Sequence, residues 1–202
     1  MERRTFAFVL SAVVFVSFLV TGCATHIARP PVEKKIDVSG AWNDVDSRMV
    51  SDEMVRDSLA KSWVDVFAAK NNRKPVVIVG TVSNRSSEHI DSRLFTSDLE
   101  RCLTNSGKVT FVAMKGDRDE LRSEKEDQAA HASEASRKTP NIETGADFMV
   151  QGSINSVKDE VDGKYVILYQ VNLEMVDLTT NEKVWIGSKE IKKYVSRSLF
   201  GL

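Results

Sequence analysis

The chain has 202 residues, with 28 Lys and Arg against 29 Asp and Glu, and its formal net charge of −1 excludes bulk attraction to nucleic acid or anionic lipid. At 42% hydrophobic and 28% charged, the composition is that of a soluble globular protein with one core. Ten Gly, four Pro and two Cys exclude collagen-like, low-complexity and disulfide-framework readings.

The N-terminus carries the most specific signal. Arg3 and Arg4 precede an apolar run over residues 6–20, which Val20-Thr21-Gly22-Cys23 closes with small residues. That order predicts a secretory signal peptide over residues 1–22, and the run is shorter than the roughly 20 apolar residues a membrane-spanning helix needs. A cysteine at position 23 is what a bacterial lipoprotein pathway alkylates before cleaving on its N-terminal side, and small side chains at Thr21 and Gly22 let the peptidase reach the backbone. Cys23 is therefore the expected lipid attachment site, bearing a thioether-linked diacylglycerol and an N-acyl chain. No other cofactor is expected. Ala24 stands where an aspartate would signal inner-membrane retention, so an outer-membrane anchor facing the periplasm is favoured. Residues 23–38 comprise the lipidated cysteine and a short tether with Pro30-Pro31, reaching at most about 50 Å when fully extended. With Cys23 lipidated, Cys102 lacks a disulfide partner. It shares a helical face with Phe95, Leu99 and Leu103 and reads as a small core hydrophobe.

The globular domain spans residues 39–202. Trp42 reads as a packed cap at its entrance, and Asn43, Asp44 and Asp46 as oxygens for the orphan amides of a helix start. Val55, Leu59, Ser62, Trp63 and Val66 keep helical spacing and predict one amphipathic helix over about 44–69. Residues 75–82 form a β-branched run suited to a central strand covered on both faces. A polar loop over 84–90 follows, with Asp91 or Ser92 capping the next helix and Gly107 ending it, before a second strand over 108–114. Residues 115–138 hold 13 charged side chains in 24 and predict a solvated, peripheral element. Beyond Gly145 the period becomes two. Phe148, Val150, Gly152 and Ile154 alternate on one face, as do Ile167, Tyr169, Val171, Leu173 and Met175 after the Asp162-Gly163 turn. Gln170, Asn172 and Glu174 point the other way, towards a partly wet surface. A third strand, 183–191, has Val184 and Ile186 alternating against Trp185. The fold class is α/β (α+β): a single mixed or antiparallel sheet packed by helices, ending in a three-stranded antiparallel meander.

No residue set supports catalysis: a Gly-rich phosphate loop and metal-ligand spacing are both missing, and only His89 and His131 could serve as bases outside the tether. The candidate partner-binding residues are Asn84, Arg85, His89 and Asp91. Arg85 offers a planar fork for a carboxylate and His89 a ring that packs or donates. The open face of the meander near Gln170, Asn172 and Glu174 is the other candidate surface.

Three stretches together resemble one family: Ser39-Gly40-Ala41-Trp42-Asn43-Asp44-Val45-Asp46-Ser47-Arg48, the strand 75–82 with Asn84-Arg85-Ser86-Ser87-Glu88-His89-Ile90-Asp91, and Gly145-Ala146-Asp147-Phe148-Met149-Val150-Gln151-Gly152-Ser153-Ile154. They are similar to the penicillin-binding protein activator LpoB family over about residues 38–194. The resemblance implies a TolB-N-terminal-like sheet with helices. It also implies an outer-membrane lipoprotein that reaches through peptidoglycan to stimulate a bifunctional glycosyltransferase and transpeptidase. The tether here is shorter than the Pro-rich one of that family. The expected function is a non-enzymatic activator whose partner is a peptidoglycan synthase. The alternative is a structural or assembly lipoprotein of an envelope secretion or surface-appendage system.

Overall fold

The computed structural model describes residues 30–31, 36, 39–139 and 141–196, all but the first two belonging to the unit Lys35–Leu202. The predicted signal peptide, Cys23 and most of the predicted tether lie outside the described residues.

Helix α1, Asp44–Leu59, begins with a capping box: Asn43 Oδ1 accepts the N–H groups of Val45 and Asp46 at 3.0 and 3.1 Å, and the Asp46 carboxylate accepts the Asn43 N–H at 3.0 Å. Asp44 instead pairs with Arg48 one turn on. Ser47, Ser51 and Ser58 are buried on the same face as Val50, Met54, Val55 and Leu59, small enough to bring α1 close to its neighbours. The predicted single helix over 44–69 is in fact two. α1 is capped at Ala60 and helix α2, Trp63–Asn71, starts after a break. The break has a packing cause. It turns Trp63 (6% exposed) and Val64 into the core, where the Trp63 indole donates to the Ser58 carbonyl at 2.9 Å and its ring meets Phe148. Val66, expected on that face, is 63% exposed.

Strand β1, Val76–Arg85, buries its first four residues on both faces, as a covered central strand should. It runs on through Asn84 and Arg85, which were expected in a loop. Helix α3, Ser92–Asn105, is capped by Asp91, whose carboxylate accepts the Arg93 N–H at 2.9 Å, and Gly107 follows it with a positive φ of 66°. Of the strand expected over 108–114, only Thr110–Phe111 pairs, as β2. It is a parallel edge strand matched to Val76 and Val77. Helix α4, Lys115–His131, buries none of its residues, in keeping with its charge density.

Strands β3 (Phe148–Val161), β4 (Lys164–Asp177) and β5 (Lys183–Ser196) form the antiparallel meander, with β5 longer than expected. The sheet order is β2-β1-β3-β4-β5, with β1 parallel to both its neighbours. Between Val79, opposite Val150, and Val82, opposite Gly152, β1 carries one extra residue, a bulge. One face of the sheet is packed by α1 and α3, where Met54, Val55, Leu99 and Leu103 meet Val150, Leu173, Met175 and Trp185. Its other face carries the alternate, more polar residues.

Candidate functional site

The loop between β1 and α3 is built by its own side chains. Asn84 Oδ1 accepts the N–H and hydroxyl of Ser86 at 2.9 and 2.7 Å, while its amide nitrogen donates to the Glu88 and Ile90 carbonyls at 2.8 and 3.4 Å. The Ser87 N–H donates to Ser156 Oγ on β3 at 3.1 Å, fixing the loop to the sheet. Asn84 and Asp91 are thus spent on backbone groups, as Asx residues at turns and caps usually are. Arg85 and His89 are exposed, and no hydrogen bond or ion pair engages their side chains among the described residues. Of the four predicted residues, two scaffold the loop and two remain open to a partner.

Arg85 also stands at a groove of about 370 Å³ on the open face of the sheet, lined with Ser83, Gln151, Ser153, Asn172 and Glu174. His89 and Asp91 are not among its lining residues. Glu174 is already engaged: Lys183 at 2.7 Å and the Gln151 amide at 2.9 Å hold its carboxyl below the usual range. The unspent charge is therefore the Arg85 guanidinium, set among neutral amides and hydroxyls that can meet a carboxylate or a polar backbone. Ser83, Gln151 and Ser153 were missed as candidates, although their period-two alternation with Val82, Val150 and Ile154 was visible. Glu88 was missed as well. Its carboxylate leaves the loop, one oxygen accepting the Tyr169 hydroxyl at 2.6 Å and the other the Trp42 N–H at 3.1 Å.

Trp42 is the packed cap expected of it, edge-on to Phe95 and Tyr169 with centroids 6.2 and 5.5 Å away. Cys102 needs correction. Leu99, Leu103 and Phe95 are buried, but Cys102 is half-buried at the rim of a groove between α1 and α3. Helical spacing placed it on the right side of α3 and could not show that α1 leaves that edge uncovered. Its thiol donates to Asp52 Oδ1 at 2.8 Å and is pushed up to about 12, by burial first and then by the bond to and charge of Asp52, so it stays protonated at neutral pH.

Comparison with known proteins identifies the family. The family model described as peptidoglycan-synthase activator LpoB matches residues 46–191. Among solved structures, the LpoB C-terminal domain from Escherichia coli is similar at 18% identity and a TM-score of 0.46, covering 73% of this chain and 99% of that one. The NMR structure of E. coli LpoB is similar at 16% identity and a TM-score of 0.41, covering 87% and 84%. The lipoprotein GNA1162 from Neisseria meningitidis follows at 12% identity and 0.39, covering 61% and 86%. No curated protein matches. Because the family match reaches into every strand of the sheet and every helix packed on it, the chain belongs to the LpoB family, described as peptidoglycan-synthase activators.

Proposed function

We propose that the protein is a lipid-anchored regulator that binds a bifunctional peptidoglycan synthase, a penicillin-binding protein, and raises its activity. The observation that carries this reading is the family match over residues 46–191. The N-terminal pattern ending in Cys23 supports an outer-membrane anchor facing the periplasm, with a thioether-linked diacylglycerol and an N-acyl chain on that residue. Activation without chemistry requires tighter binding to the active state of the synthase than to its resting state. A surface ordered before the encounter serves that purpose, since it loses less conformational freedom on binding. The contact comprises Arg85 and His89, presented by the Asn84 and Asp91 scaffold, with the groove of Ser83, Gln151 and Asn172 beside Arg85.

A glycan polymerisation assay with the organism's own bifunctional synthases tests the function, and titration of the variants tests the site. Wild-type protein should stimulate polymerisation; no stimulation of any of these synthases rejects the reading. Arg85→Ala should weaken binding about thirtyfold, the size of a true interface anchor, with an unchanged melting temperature. Affinity within about twofold of wild type for both Arg85→Ala and His89→Ala removes this loop from the contact.

A further inference from the structure

Residues 39–42, through which the chain enters α1, are fastened by side chains from distant parts of the sequence. Tyr165 donates its hydroxyl to the Ser39 carbonyl at 2.5 Å and Lys193 Nζ donates to the Ala41 carbonyl at 3.0 Å, while the Tyr169 hydroxyl oxygen lies 3.3 Å from the Gly40 carbonyl. Gly40 has a φ of +73°, and a Cβ there would overlap Val195, so only glycine lets this strap lie down on β5. The fourth fastening is Glu88, whose two carboxylate oxygens accept from Trp42 and Tyr169. Tyr169 is fully buried and its phenol is pushed far up, by burial first and then by the bond to and charge of Glu88, so it remains a donor.

The main chain of Glu88 belongs to the other assembly. Its carbonyl accepts from Asn84 Nδ2 and the Ile90 N–H, and its own N–H donates to Ser86 Oγ, the bonds that give the loop its shape. One residue therefore has its side chain in the strap and its backbone in the loop. A carboxylate suits that junction because both partners are donors. A glutamine would set its own N–H groups against one of them.

We infer that Glu88 couples the strap to the loop, so that the seating of residues 39–42 fixes the conformation in which His89 is presented beside Arg85 at the end of β1. Whatever displaces the root of the tether then loosens the loop. The coupling rests on the hydrogen bonds alone. Its effect on a synthase rests on the function proposed above.

Hydrogen exchange on the full chain in detergent micelles tests it. Gly40→Ala pushes the strap off Val195 and leaves every loop residue unchanged. It should speed exchange of the amides at 86–90 about tenfold along with those at 39–45, the size of losing one charge-assisted hydrogen bond, while the β4 amides stay protected. Glu88→Gln should do the same from the loop side. If Gly40→Ala loses protection in β4 as well, Tyr165→Phe, which gives up only the Ser39 bond, replaces it and should shift strap and loop together by a smaller factor. Faster exchange in the strap with the loop unchanged within twofold overturns the coupling. Synthase titration of the same variants separates the two ideas: a loosened loop with unaltered affinity supports the coupling and rejects the loop as the contact.

Discussion

Asp147 ties three segments together through one carboxylate. It receives both terminal nitrogens of Arg73 at 2.6 and 2.7 Å and the Val76 N–H at 2.8 Å, and so joins the end of α2 to β1 and β3. Burial pushes its carboxyl up, but the Arg73 bonds, the Val76 N–H and the Arg73 charge outweigh that and hold it below the usual aspartate range. A depressed folded value means stability that is present above the unfolded range near pH 4 and lost as pH falls through the folded value. Asp147→Asn should therefore destabilise the domain at pH 7 by about 1 to 2 kcal/mol, allowing for solvent around the half-exposed Arg73. Chemical denaturation from pH 5 towards pH 2 should show the gap from wild type closing; a gap that does not change with pH would exclude the ion pair as its cause. At this scale, local chemistry was readable and distant chemistry was not. Asn43 and Asp46 cap a helix within three residues of each other, whereas Glu88 finds Trp42 and Tyr169 across 46 and 81 positions. No spacing rule links residues that meet only because the sheet and strap are already folded.

The β3–β4 hairpin was fully legible, because its period of two and its Asp162-Gly163 turn agree on the same register. Both turn residues have positive φ, 50° and 72°, as a two-residue hairpin turn matched to strand twist demands. Gly163→Ala should cost about 1 to 2 kcal/mol, a drop of about 2 to 8 °C in melting temperature, since a Cβ is strained in that region. An unchanged melt would show that the turn does not hold the hairpin. The helices were less legible. Val55, Leu59, Ser62, Trp63 and Val66 satisfy one continuous helical face, and only the burial of the Trp63 indole against Phe148 shows why the chain turns after Leu59. The short β2 was not legible either: residues 108–114 have strand-like composition, but only Thr110 and Phe111 pair with β1.

At the scale of the domain, composition and periodicity identified a single mixed or antiparallel sheet packed by helices and ending in a meander, and the observed sheet is the mixed one, with β1 parallel to both its neighbours. The anchor is tested separately. Cys23→Ser should leave the domain folded but absent from the outer-membrane fraction, because a hydroxyl cannot take a thioether-linked lipid; recovery there at wild-type level, after the two membranes are separated, would sink the lipoprotein claim. The candidate site was partly legible: its polar loop and the Asn172 and Glu174 side of its groove were found, and the Ser83, Gln151 and Ser153 side was not. The bulge in β1 explains why loop and groove belong together. Along an unbroken strand, every second residue after Val79 would share its direction, and Arg85 would be carried under the helices with Ser83. The single extra residue between Val79 and Val82 exchanges odd for even: Val82 turns inward, and Ser83 and Arg85 turn outward to the groove. The side of the domain on which its unspent guanidinium lies is thus decided by a count of one, made at Gly80 and Thr81, several positions before the arginine itself.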